Sequence, residues 1–297
     1  MTTTTRYIEH PGPCTEEAVQ TLASRCQTVN EILPSGQTLI SAFAGLLRQY
    51  QVSGAVAKLG KGQVFPAQYV LPALSTNPAY AVYYSAIHTA STPLQLTEGK
   101  VTVGLKDQQP WLHCHARWFD DKGTLHCGHW LPDQTVLQAD LPIELTLLLD
   151  ATFEICPDAH TNFSLFKPRA TRWTELDDLA APNVPLAMEP ETGYLVRVAP
   201  NIDFGEALLT ACARHGLSKA KVLGGVGSLV GAVFEDGRVV EPFVTELLVR
   251  SGSIDLTKQQ TRLDISLIDY TGAVTEGTIR QGHNPVLVTC ELVLISD

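Results

Sequence analysis

The sequence predicts an α+β fold built from two tandem units, and three observations carry that prediction. First, VSGAVAKLGKGQVF (residues 52–65) runs beside LSKAKVLGGVGSLV (217–230), with Gly60 and Gly62 opposite Gly225 and Gly227 at an offset of 165. Second, each of these is preceded by a segment, LISAFAGLLRQY or FGEALLTACARHG, whose apolar residues recur at three and four and which ends in a turn, as an amphipathic helix does. Third, WLHCHARWFDDKGTLHCGHW runs beside RLDISLIDYTGAVTEGTI, with Gly123 opposite Gly272 and Gly128 opposite Gly277 at an offset of 149, after a loop that reads two residues shorter in the second copy. Each unit is therefore a helix, a Gly-rich turn and several strands closing on a hairpin, and strand-dominated units with one helix make an α+β sandwich. A chain of 297 residues is long enough for two such cores. Residues 170–192, rich in Pro and acidic side chains, read as the linker between units at 1–169 and 193–297.

Composition narrows the functional classes. A hydrophobic content of 44% with 18% charged residues describes a folded globular chain rather than a disordered one. The formal net charge of −10, with no basic run, sets a field that repels polyanions and disfavours nucleic acid as the main partner. No segment approaches the ~20 apolar residues of a membrane span, and the polar start MTTTTRYIEH lacks the apolar core of a secretory signal, so a cytoplasmic protein is expected. Seven cysteines (Cys14, Cys26, Cys114, Cys127, Cys156, Cys212 and Cys290), odd in number and scattered, suit reduced thiols better than a disulfide framework.

The chemistry concentrates in HCHARWFDDKGTLHCGHW. In a strand, side chains two apart share a face, so His113 and His115 project together, and a hairpin through Asp120 to Gly123 can bring His129 beside them. Three imidazoles from one hairpin leave a fourth coordination position open, the mark of a catalytic rather than a closed structural metal site. The bland alternative is three separate surface or satisfied histidines. His126 and Cys127 on the return strand compete as ligands, whereas Cys114 points to the opposite face and reads as a small buried hydrophobe. Read against the repeat, His113, His115 and His129 fall opposite Asp264, Ser266 and Thr278, so only the first unit is expected to hold a metal.

Other residues are candidates for the surroundings of such a site. Lys58 and Lys61 flank the Gly60–Gly62 turn and could neutralise a substrate carboxylate, although lone lysines near turns are usually just solvated. Gly224, Gly225, Gly227 and Ser228 could form an anion-binding nest or, more simply, a tight turn. Tyr84, near Tyr83 and His88, lies on a strand and reads as either packing or pocket wall. Asn162, Phe163 and Phe166 follow the first unit and could close a site or cover a sheet edge. Trp111, Trp118 and Trp130 flank the histidines and could wall them with apolar surface. Among the acids near in sequence (Glu98, Asp120, Asp121 and Asp140) none stands out as a general base.

The HxH strand, its turn, the closing Gly-His, the AxFEICPDAHTNFSLFKP tail and the GGVGS loop resemble the PCC domain family, also called PPC or DUF296, here in tandem. The resemblance implies a mixed β-sheet with a flanking helix in each unit and assembly into homo-oligomers, commonly trimers. It also implies a metal on His113, His115 and His129. Some members of the family carry AT-hooks and bind AT-rich DNA; no Arg-Gly-Arg-Pro core is present here, so that role does not transfer. The sequence departs from the family in having Gly-Lys-Gly-Gln at its first Gly-rich turn and no histidine ligands in its second unit.

The function expected from these observations is a metal-dependent enzyme of hydrolase, lyase or decarboxylase type. It would act on a small anionic organic acid, with Zn²⁺ or another divalent ion on the three histidines and Lys58, Gly60, Lys61, Gly62, Tyr84, Asn162 and Phe163 around the substrate. The alternatives are a DNA-associated regulatory protein or a small-ligand-binding sensor of the same family.

Overall fold

The structure, a computed structural model, describes residues 6–171 and 189–297. Most of the expected linker lies at 172–188, outside the described residues; of its ends, Ala170 closes one strand and Glu191 opens the next. The first half contains β1 (Val19–Leu33), α1 (Leu39–Tyr50), β2 (Gly54–Leu59), β3 (Gly62–Val64), β4 (Gln68–Val70), β5 (Pro72–Leu74), β6 (Val82–Tyr84) and β7 (His88–Thr89). It continues through β8 (Leu94–Lys106), β9 (Gln109–Phe119), β10 (Leu125–Trp130), β11 (Leu141–Leu148), β12 (Ala151–Pro157) and β13 (Ser164–Ala170). The second half contains β14 (Glu191–Val198), α2 (Phe204–His215), β15 (Lys219–Val233), β16 (Val239–Asp255), β17 (Gln260–Asp269), β18 (Val274–Ile279) and β19 (Val286–Ser296).

The two halves repeat one pairing order. Strands run β1–β11–β2–β8–β9–β10 in the first and β14–β19–β15–β16–β17–β18 in the second, each neighbour antiparallel to the last. The amino-terminal half of β1 pairs with β14, Val19 opposite Val198 and Cys26 opposite Glu191, and so joins both ladders into one continuous sheet. The expected α+β class therefore fits only loosely. Among the described residues the fold is dominated by strands with two α-helices, and the one parallel contact is Glu154 beside Leu105, between β12 and β8.

Each helix is short and capped at both ends. Thr38 accepts a hydrogen bond from the Ser41 N–H, Asp203 accepts one from the Glu206 N–H, and Gln51 and Gly216 close the two C-termini in the left-handed region. Twelve residues are marginal for an isolated helix in water, so the buried face holds α1 in place: Leu39, Ala42, Phe43, Leu46, Leu47 and Tyr50 recur at three and four.

Alternation along the strands sends one set of side chains under the helix and the other toward the opposite sheet. In β2, Ala55, Ala57 and Leu59 join the core beneath α1, whereas Val56 packs with Leu148, Phe153, Phe166, Leu195 and Val293 of both halves. The result is helix, sheet layer, sheet layer, helix, with the face that carries the histidines turned inward.

The hairpin register also corrects the alignment of the copies. Phe119 pairs with Leu125 around residues 120–124, and Ile268 pairs with Val274 around residues 269–273, so the two loops are equal in length. A constant offset of 149 then places Arg262, Asp264 and Thr278, not Asp264, Ser266 and Thr278, at the positions of His113, His115 and His129.

Candidate metal centre

His113 and His115 stand two apart on β9, and β10 returns beside it so that His129 lies directly opposite His115. Period-two alternation and a five-residue turn thus bring the three imidazoles together: one ring nitrogen from each lies within 4.8 Å of the others. His115 is 1% exposed, because the face carrying the triad is covered by the second sheet. The triad is therefore enclosed between the halves, not at the open rim of a sheet that one hairpin alone would give.

The covering strands supply the partners. The His115 Nδ1 donates to the Leu247 carbonyl at 2.7 Å, and the His113 Nδ1 meets the Glu291 Oε2 at 2.7 Å. Those acceptors place the ring protons on Nδ1 and leave lone pairs on the two Nε2 atoms, which face one another at 3.1 Å. Two facing lone pairs repel unless a proton or a cation lies between them. The Glu246 Oε1 lies 3.9 Å from the His115 Nε2 and 3.8 Å from the His129 Nδ1, and the latter nitrogen is buried without a hydrogen-bond partner. Burial, followed by the field of the neighbouring imidazoles, holds His115 well below the usual histidine value; burial and then His113 do the same for His129. Burial pushes the Glu246 carboxyl up to about 8. Neutral imidazoles with outer acceptors fixing their tautomers are the donor set that divalent zinc-like ions take. The residues present fit the metal that the sequence implies.

A cavity of about 350 Å³ opens from the triad. Its floor is His113, His115, His129, Glu246 and Glu291; its walls include Trp111, Leu112, Ile155 and Val244, and Tyr83, Tyr84, Phe163 and Phe166 also line it. Tyr84 meets the His129 ring edge to face at 5.4 Å.

The sequence candidates separate into three groups. The three histidines, Tyr84 and Phe163 converge on one cavity. Asn162 is next to it: its backbone is left-handed (φ 63°), and its amide donates to the Ala79 carbonyl, so it shapes the turn before Phe163. Lys58, Gly60, Lys61 and Gly62 are elsewhere. Gly60 and Gly62 are small because β11 passes over them: an added Cβ would meet the Pro142 carbonyl at 2.7 Å and the Leu141 side chain at 2.5 Å. Lys61 is solvent-exposed, and Lys58 lines a different cleft, with Lys100 and Arg250 among its neighbours.

The competing ligands are likewise occupied. His126 pairs with Asp120 at 3.0 Å and stacks on Trp118, while Cys127 packs with Leu248 and Ile268. Cys114 lies in the core beneath α1, where burial raises its thiol to about 12. Trp118 and Trp130 sit in that same core, so of the three tryptophans expected to wall the site only Trp111 does. Gly224 and Gly225, with φ of 69° and 100°, form a bulge in β15 where Val56 and Val249 leave no room for a side chain, and at Gly227, which with Ser228 lines the triad cavity, an added Cβ would lie 2.4 Å from the Thr289 carbonyl oxygen.

Sequence reasoning missed Glu246 and Glu291, which lie 117 and 162 residues beyond His129. The signal was present: VTELLV and TCELVL each set a single carboxylate inside an apolar strand, where a buried charge needs a partner.

The fold and site define a strand-rich protein of paired units with an imidazole cluster between them. Residues 187–296, in the second half of the chain, match the family model of the Plants and Prokaryotes Conserved (PCC) domain. Similar solved structures include a plant- and prokaryote-conserved protein from Pyrococcus horikoshii (16% identity, 49% of this chain and 94% of that one, TM-score 0.40). A metal-containing protein from Archaeoglobus fulgidus is similar at 18% identity, covering 48% of this chain and 93% of that one, with a TM-score of 0.40. A protein from Ralstonia eutropha proposed to bind DNA is similar at 12% identity, covering 46% and 89%, with a TM-score of 0.36. No curated protein matches the chain. No helix among the described residues is long and apolar enough to cross a membrane.

Proposed function

We propose that the protein is a metal-centred small-ligand-binding protein of the PCC class, with one divalent ion per chain on His113, His115 and His129 and the ligand in the adjoining cavity. The observation that carries this reading is the pair of facing Nε2 lone pairs at 3.1 Å, fixed by Glu291 and the Leu247 carbonyl. A bound divalent ion supplies a Lewis acid with an open position. The chain's own residues orient the imidazoles, limit water with mainly apolar walls and hold the Glu246 Oε1 3.9 Å from the His115 Nε2 and 3.8 Å from the His129 Nδ1. Elemental analysis of protein purified with metal present should give one ion per chain, and His115→Ala should remove it while the fold persists. Two ions per chain, or none, would sink the proposal.

A second reading, turnover of the ligand, is favoured by Glu246, a carboxyl raised into the range of a general acid or base. Product formation from a panel of keto- and unsaturated acids separates enzyme from sensor. Direct DNA association, the remaining alternative, runs against a net charge of −10; a salt-dependent gel shift would support it. Homo-oligomeric, trimer-like assembly is proposed from the family resemblance, and a monomeric mass by light scattering would contradict it.

A further inference from the structure

The chemical class of the ligand follows from what lines the cavity, and it narrows the small anionic organic acid that the sequence suggested, without the lysines expected to hold it. Among the described residues no Lys or Arg lines this cavity; two carboxylates, Glu246 and Glu291, do. A divalent charge on the triad would be the one positive group facing this cavity, so it can meet one ligand carboxylate and nothing in the lining meets a second anionic end. The walls away from the floor are mainly apolar, with Ser164, Ser228, Thr245 and Thr289 among them, and the mouth is aromatic. Tyr83 and Phe163 stack at 5.9 Å, Tyr80 lies 4.9 and 5.0 Å from those two rings, and Tyr84 stands between Phe163 (6.0 Å) and His129 (5.4 Å). Tyr83 and Tyr84 are 46% and 38% exposed, so ring faces are presented at the opening. Both lie on β6, which pairs with β5 in a two-stranded sheet separate from the main ladder.

We infer that the cavity takes an aryl-bearing monocarboxylate, its carboxylate toward the histidine triad and its ring against the lining formed by Tyr84, Phe163 and Trp111. The inference rests on the metal-centred reading for the carboxylate end, and on the apolar walls alone for the ring. Size agrees: an apolar cavity of about 150 Å³ holds a benzene ring, and pockets for small molecules begin near 300 Å³. At about 350 Å³ this cavity has room for a ring and a short acid chain.

The test is calorimetric titration of the full-length, zinc-loaded protein with 3-phenylpropionate, benzoate, succinate and citrate. The aryl monocarboxylates should bind at least tenfold more tightly than succinate or citrate. Phe163→Ala and Tyr84→Ala should each weaken 3-phenylpropionate about tenfold while zinc content, read by elemental analysis, stays unchanged. Equal or tighter binding of succinate or citrate would overturn the inference, as would no saturable binding of any of the four acids. So would 3-phenylpropionate affinity that survives both substitutions. The two proposals fail separately: protein that takes up no zinc yet binds 3-phenylpropionate through Phe163 defeats the metal reading and leaves the ligand class standing.

Discussion

At the scale of single residues, the triad was legible because its spacing is set by strand geometry, which a sequence displays directly. Its supporting carboxylates were not, since Glu291 meets His113 only through the packing of two sheets. That contact has a measurable consequence. Glu291→Gln keeps the size of the side chain and removes the charge that holds the His113 Nδ1 proton, so metal affinity should fall by about 10–100-fold in a competition assay with a chelator. The pH dependence follows from His115 and His129. Burial lowers both, so the folded protein resists protonating them while an unfolded chain takes up protons near 6.5. Their contribution to stability is therefore full above that value and declines as pH falls below it, and the metal proposed on them should be displaced only further into acid, where the folded imidazoles themselves take up protons. A chelator-free metal-release titration should show retention at pH 7 and loss on acidification; release on raising the pH instead would contradict the assignment.

At the scale of elements, the helices and the hairpin could be read because caps, apolar periodicity and turn glycines are local signals. The edge-to-edge union of β1 with β14 could not, because nothing local distinguishes a strand that changes partner halfway along. Nor was the seam between β8 and β12 visible, although one glycine marks it. An added Cβ at Gly104 would lie 1.9 Å from the Phe153 carbonyl oxygen and 2.8 Å from the Phe166 ring. Gly104→Ala should cost about 3 kcal/mol in denaturant unfolding, the upper part of the usual overpacking range. Phe166 also lines the ligand cavity, so the same substitution should disturb binding there.

Across the whole molecule, the repeat gave the two-unit plan, and the equal loops found in the hairpins corrected its register. What the repeat could not give was the face on which the units meet, which decides that one site forms between them. A buried ion pair also ties the halves: the Asp158 Oδ2 lies 2.7 Å from the Arg197 Nη2, with Arg197 on β14 and 1% exposed. Burial alone would push the Asp158 carboxyl up, but the Thr161 N–H and the Arg197 charge outweigh it and hold it below its ordinary 3.8. The stability it contributes is present above that value and lost as the pH falls through its lowered one. Asp158→Ala leaves Arg197 with only the half-exposed Glu16, and should lower stability at pH 7 by about 3 kcal/mol with a smaller difference in strong acid.

The strand that serves both ladders has one more implication. Because eight residues of β1 pair with β14 and eight, sharing Cys26, pair with β11, neither half can lose its edge without exposing backbone groups of the other. Two-domain chains commonly melt in two steps, each domain absorbing heat at its own temperature. Here the shared strand makes the unfolding of one half a penalty on the other, so scanning calorimetry should record one heat-absorption peak, with the duplicated units behaving as a single cooperative body.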